Sequence, residues 1–360
     1  MTAFRRLCAA TILIASTTLF AQTASGFGVQ IPWRFLIGAE KPVADYNAPP
    51  LPADFHSRSP DQNEQAPTSA PSAEIDLSPR FASRLPYSVA LGRVVIESNF
   101  PLESAQGLEA EIVQLQNDLV GFLGVPEAQE KISLCLFNDM ESYRAFIAET
   151  FRGAPTDRPA LYVKDSGPGV LMVPRNDRML LNIRHEMTHA YLNAALRNVP
   201  IWIDEGLAKY FEIPPGERGF RNPYLTDAEQ GVSGLFGAPP SLPRLERLTR
   251  VDQMKTREYR ESWSWVHYMI HYSPRTQRLL AGYLRSLSPE AQKGVTMQEA
   301  FKRQKKLPLT RMLEEHQPNY KKEYVEHFKN WDARRTAYES ARQETDTVGR
   351  AQANGIGSRQ

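Results

Sequence analysis

The segment Leu181-Asn-Ile-Arg-His-Glu-Met-Thr-His-Ala190 constrains this chain more than any other. Residues four apart face the same way on an α-helix, so a helical His185 and His189 can grip one metal ion with their imidazoles. Glu186 borders that face and reaches a water on the metal without being a ligand itself. Two neutral nitrogens hold the ion, and a carboxylate takes the proton. Leu181, Leu192 and Leu196 continue the same side, which implies a helix buried behind the site. With 7 His in the chain, a chance H-E-x-x-H has odds of roughly 1 in 100. A surface helix with two unrelated histidines carries the same letters, so the five residues do not decide the matter alone.

The next helix shifts the balance. After Pro200 the chain reads Ile201-Trp-Ile-Asp-Glu-Gly-Leu-Ala-Lys-Tyr-Phe211. Two histidines leave room for a third protein ligand and an open position for water. Glu205 follows His189 by 16 residues, enough chain to end one helix, turn, and present a carboxylate from the start of another. Gly206 permits close helix approach, and Leu207 and Phe211 supply an apolar face. The plainer reading of Asp204 and Glu205 is two acids favoured at a helix N-terminus by the dipole.

His185-Glu186-x-x-His189 followed by Asp204-Glu205-Gly206-Leu207-Ala208 resembles the gluzincin zinc peptidases, and most closely the bacterial peptidase MA-like group. The resemblance covers mainly residues 160–275. It implies a zincin-type catalytic domain, one Zn2+ per chain on His185, His189 and Glu205, Glu186 as the general base, and amide hydrolysis. One departure matters. Many thermolysin-type relatives carry an acid four residues after the glutamate ligand that supports a histidine, whereas this chain has Lys209 there. Asp204 is the candidate for that supporting role. Tyr259, in Tyr259-Arg-Glu-Ser-Trp-Ser-Trp-Val-His-Tyr-Met-Ile270, resembles the aminopeptidase-N-like tyrosine that stabilises the oxyanion of the tetrahedral intermediate. Alternatively it is a partly exposed aromatic beside the buried stripe of Trp263, Val266 and Ile270. His267 and His271 also lie four apart, but without glutamate or cysteine at metal spacing they read as packing or surface residues. No G-x-M-E-N segment precedes the first helix, so an aminopeptidase-type anchor for a free N-terminus has no counterpart. Gly169–Val173 is the candidate edge strand for pairing with an extended peptide, an arrangement suited to an endopeptidase.

The surrounding pattern predicts an α+β fold, a small N-terminal sheet followed by a mainly helical domain. Val89–Glu97 and Lys131–Phe137 read as strands. Leu102–Leu123 reads as an amphipathic helix closed by Gly124, and Asn138 or Asp139 caps another running to about Phe151. Ala160–Val163 and Gly169–Val173 form a hairpin, after which the chain turns helical: 177–197, 202–212, 259–272, 274–286, and on to about Glu339. The domain therefore spans 86–339, with a polar tail over 340–360. Residues 26–85 are proline-rich and poor in periodic apolar residues, so they read as a disordered linker. Its stretch Ile31-Pro-Trp-Arg-Phe-Leu-Ile37 is the part suited to local docking.

At the N-terminus Arg5 and Arg6 precede an apolar run, Leu7–Phe20, and then the small residues Ala21, Ala24, Ser25 and Gly26. This is the pattern of a cleaved signal peptide over 1–25, and the run is short for a membrane span of about 20 residues. The expected location is secreted, periplasmic or cell envelope, with no stable membrane span after cleavage. Cleavage removes Cys8 and leaves Cys135 without an internal disulfide partner; its apolar surroundings read as a buried strand. A net charge of +2 gives no long-range attraction to nucleic acid. The expected partner is a peptide or protein substrate, and oligomeric state is not legible. Two other readings fit the same letters: a noncatalytic binding or scaffold protein on a zinc-stiffened fold, and a zinc hydrolase of a non-protein envelope amide. Against the scaffold, a structural zinc has no use for Glu186.

Overall fold

A computed structural model describes residues 36–37 and 81–336, apart from 106, 165–166, 234–236, 295 and 297–307. The expected signal peptide, the tail and all of the linker except 36–37 and 81–85 lie outside these residues.

Five strands between Tyr87 and Pro174 form a mixed sheet: β2 (Tyr87–Leu91), β3 (Val94–Ser98), β4 (Ile132–Phe137), β5 (Leu161–Val163) and β6 (Gly169–Pro174). A two-residue strand, β1 (Leu36–Ile37), joins one edge and gives the order β1-β5-β6-β4-β3-β2. The centre is parallel, β3 with β4 and β4 with β6, and the flanks are antiparallel. Parallel strands are covered on both faces, so their residues are apolar throughout and alternate between two cores. Ile132, Leu134 and Leu136 of β4 enter the larger core, while Cys135 and Phe137 enter the smaller. Cys135 is fully buried there, as its strand context implies.

The smaller core packs helix α2 (Met140–Thr150) on one face of the sheet through Tyr143, Phe146 and Ile147. Asp139 caps α2, its carboxylate accepting from the Ser142 amide at 2.7 Å. On the other face lie α1 (Leu108–Asn117) and the long α3 (Met179–Ala195). Beyond them come α4 (Ile201–Phe211), α5 (Tyr224–Ser233), α6 (Leu242–Leu245), α7 (Thr256–His271) and α8 (Pro274–Ser286), then helices over Leu309–His316 and 320–336. The architecture is α+β, a small sheet followed by a mainly helical region. No described helix is long and apolar enough to cross a membrane.

Three details differ from the sequence reading. The single strand expected over Val89–Glu97 is a hairpin, because Gly92 takes φ +57° and turns the chain between β2 and β3. The folded unit begins by Phe81, whose ring meets Phe146 at 5.1 Å, and Leu85 is buried. Gly169–Pro174 is an interior strand between β5 and β4, and beyond β5 on that side lies the two-residue β1.

Candidate metal centre

Helix α3 runs through the middle of the helical region. From Asn182 to Leu192 every residue is buried, including Arg184, His185, Glu186, Thr188 and His189. Burying so many polar groups costs free energy unless each has a partner. Arg184 donates to the Glu212 carbonyl at 2.8 Å and to Glu111 at 2.9 Å, and Thr188 donates to the Arg184 carbonyl at 2.7 Å.

Helix α4 delivers the third group. Its close approach depends on Gly206, where a Cβ would meet the Ser262 carbonyl oxygen and Val266 Cγ2 of α7 at 2.8 Å each. The helices therefore pack backbone against backbone, and Glu205 is held rigidly opposite α3. His185 and His189 bring their Nε2 atoms to 3.2 Å from each other. Glu205 Oε2 stands 3.8 Å from the first and 3.7 Å from the second. Among the described residues these three form the one group of three or more His, Cys, Asp or Glu able to hold a metal ion.

What lies behind each imidazole fixes which nitrogen faces the centre. His185 Nδ1 is 2.9 Å from Glu212 Oε2. A carboxylate only accepts, so Nδ1 carries the proton and the Nε2 lone pair points inward. Lys209 Nζ donates to the same Glu212 oxygen at 3.2 Å. Burial would raise Glu212, but Lys209 and His185 outweigh it and hold the carboxyl below its ordinary value. On the other ring, His189 Nδ1 lies 3.0 Å from Asp204 Oδ1, angled off the line of a good hydrogen bond. Each histidine thus has a carboxylate at its back. Asp204, the candidate for a supporting role, lies behind His189. Glu212, two helical turns beyond Glu205, supports His185. The lysine that replaces the expected acid holds Glu212 in place. Glu212 escaped the sequence reading, although its two-turn spacing was a usable signal.

Burial and crowding of like charges mark the electrostatics of these three groups. Burial pushes the Glu205 carboxyl up to about 8, and neither of its oxygens has a hydrogen-bond partner. Burial disfavours a charge on His189, yet Asp204 and Glu205 overcome it and lift the ring to about 9. Burial drives His185 down to about 3. Two imidazoles with Nε2 turned to one point and a carboxylate without a hydrogen-bond partner, all at most 1% exposed, could hold a small cation.

Glu186 is also fully buried, and its charge acts on His189 and Glu205. Two tyrosines that the sequence reading missed feel it as well. Tyr143 of α2 and Tyr162 of β5 are buried with hydroxyls lacking any hydrogen-bond partner. Burial, and after it nearby acids that include Glu186, pushes both phenols upward. Nothing in their local sequence sets them apart. Tyr259 is buried rather than partly exposed, with Lys209 Nζ 5.9 Å from its ring centre. It therefore borders the Lys209–Glu212 group that supports His185.

No protein-family model matches the chain, and no curated protein matches it either.

Proposed function

We propose that this chain is an exported zinc peptidase of gluzincin type, acting as an endopeptidase on peptide or protein substrates. The observation that carries this reading is the pair of inward-facing Nε2 atoms, each backed by a carboxylate, with Glu205 opposite and Glu186 beside them. Tetrahedral zinc with Zn–N bonds of about 2.0–2.1 Å would place two ligand nitrogens roughly 3.3 Å apart. The nitrogens here are 3.2 Å apart, and Glu205 needs only a few tenths of an ångström to join them.

Bound zinc would supply Lewis-acid chemistry, polarising a water and the scissile carbonyl. The chain's own residues supply the rest. Glu186 accepts the proton of the attacking water and returns it to the departing amine. Asp204 and Glu212 keep both imidazoles in the ligating tautomer. The Tyr259 hydroxyl donates to the developing oxyanion, where one such donor is worth about 10²–10³ in rate.

Glu186→Gln keeps shape and polarity but cannot accept a proton. We expect it to retain one zinc per chain and to lose about 10²–10⁴ in casein hydrolysis. Activity within a few fold of wild type would remove Glu186 as the base. Tyr259→Phe should lower kcat with KM nearly unchanged. An intact kcat would pass the role to the unbonded hydroxyls of Tyr143 or Tyr162.

A further inference from the structure

Strand β5 runs alongside the metal ligands. Just before it, the Pro159 carbonyl accepts from Asn182 Nδ2 of α3 at 3.5 Å. Just after it, Lys164 Nζ donates to the Asn193 carbonyl of the same helix at 3.1 Å. His185, Glu186 and His189 fall between those two anchors. Any chain that pairs with the outer edge of β5 therefore lies one strand spacing, about 4.8 Å, further out along the same stretch of α3. An uncovered edge there would present unpaired N–H and C=O groups to an extended peptide.

That edge is taken by the protein itself. Leu36 pairs with Val163 and Ile37 with Tyr162, antiparallel. The pairing residues belong to Ile31-Pro-Trp-Arg-Phe-Leu-Ile37, an apolar stretch in an otherwise polar, proline-rich region. The site beside it is closed: His185, Glu186 and His189 have no exposed surface and Glu205 has 1%.

We propose that strand β1, Leu36–Ile37, is a built-in pseudosubstrate. It fills the peptide-docking edge of β5 and keeps the chain self-inhibited until the segment is displaced or cut away. The inhibition rests on the peptidase reading; the occlusion of the edge does not. A tethered segment competes at a millimolar-scale effective concentration. A free peptide at micromolar concentration should therefore bind poorly while the tether holds.

The test uses the full chain and a fluorescein-labelled peptide of residues 31–40, with binding read by anisotropy. Leu36→Pro/Ile37→Pro removes two backbone donors from β1 and should bind the peptide roughly tenfold or more tighter than wild type. It should also hydrolyse unfolded casein about tenfold or more faster. If the double proline variant misfolds, a thrombin site inserted after Pro60 lets the folded chain be cut, and the same rise should follow cutting. Equal peptide binding before and after release overturns the proposal, as does equal casein hydrolysis in chains that are active. Tighter peptide binding with no hydrolysis by any form would leave the occluded edge standing and sink the peptidase reading instead.

Discussion

Two pairs of histidines spaced four apart sit on buried helices of this molecule and meet opposite company. His185 and His189 on α3 each have a carboxylate behind them and Glu205 in front. His267 and His271 on α7 are set among aromatic rings, with Trp331 centred 4.7 and 5.2 Å from them. Burial drives both His185 and His267 down to about 3, so neither carries a charge at neutral pH. Their protons nevertheless sit on different nitrogens. His267 Nε2 donates to the Gly219 carbonyl at 2.9 Å, and its Nδ1 accepts from His327 Nε2 at 3.0 Å. Both ring atoms are committed to the protein. His185 gives its proton to Glu212 and keeps a lone pair for the centre. Spacing offers a metal site, and the groups behind the rings decide whether the lone pairs are free to use it.

The largest expected effect breaks the two pairs one at a time. His189→Ala should reduce bound zinc from one per chain to near zero, because a buried histidine and glutamate alone rarely hold the ion. His271→Ala loses, among other contacts, the one with the Tyr210 hydroxyl, 3.0 Å away, but touches none of His185, His189 and Glu205. It should keep one zinc. Metal analysis of both purified variants checks the contrast, and equal zinc content in the two would end the distinction.

The same contrast marks how far the sequence could be read. H-E-x-x-H and the glutamate after Pro200 are local patterns on single helices, so helix spacing paired the two histidines and the gluzincin resemblance pointed to Glu205. Asp204, next to a proposed ligand, could be singled out on the same resemblance. Glu212, two turns on, carries the same kind of signal, but the family pattern places the supporting acid at position 209. Tyr143 and Tyr162 feel the Glu186 charge only because α2, β5 and α3 belong to one layered sheet-and-helix unit, and that is long-range packing with no local signature. The hairpin at Gly92 was missed because Val89–Glu97 is apolar on both sides of one glycine. That β6 lies inside the sheet, with β5 and then β1 beyond it, came from pairing order, which periodicity does not encode.

A second prediction sharpens the contrast through pH. In the metal-free chain Glu205 is pushed up to about 8 and His189 to about 9. Below those values both hold protons that a cation must displace, whereas His185 is already neutral. Metal affinity should therefore rise with pH, by about tenfold per unit for each proton displaced, or up to roughly 100-fold between pH 6 and 7. The rise should flatten above pH 8 to 9 as the two groups lose their protons unaided. Competition with a chromogenic chelator at pH 6, 7 and 8 measures the slope. His271→Ala should leave it unchanged. A flat profile would mean that the carboxylates do not crowd the empty site as the geometry implies.

The smallest effect concerns the histidines of α7. His267 stacks on Phe328, with ring centres 5.5 Å apart and planes 27° from parallel, so His267→Phe fits a comparable ring into an aromatic niche. The Gly219 carbonyl keeps a partner, because Trp331 Nε1 also donates to it at 2.8 Å. The His327 ring N–H, by contrast, loses its acceptor in a buried place. Leaving one buried donor unsatisfied costs about 1–3 kcal/mol. At about 2–4 °C per kcal/mol for a domain of this size, the expected fall in Tm is roughly 2–12 °C. Zinc content should stay at one per chain, since no group on the metal side has changed. His185→Phe places the same ring in the other pair, and there the metal should go. Thermal melts and metal analysis of the two variants separate a histidine kept for packing from one kept for its lone pair. Zinc loss from His267→Phe would show that the α7 pair is coupled to the site after all.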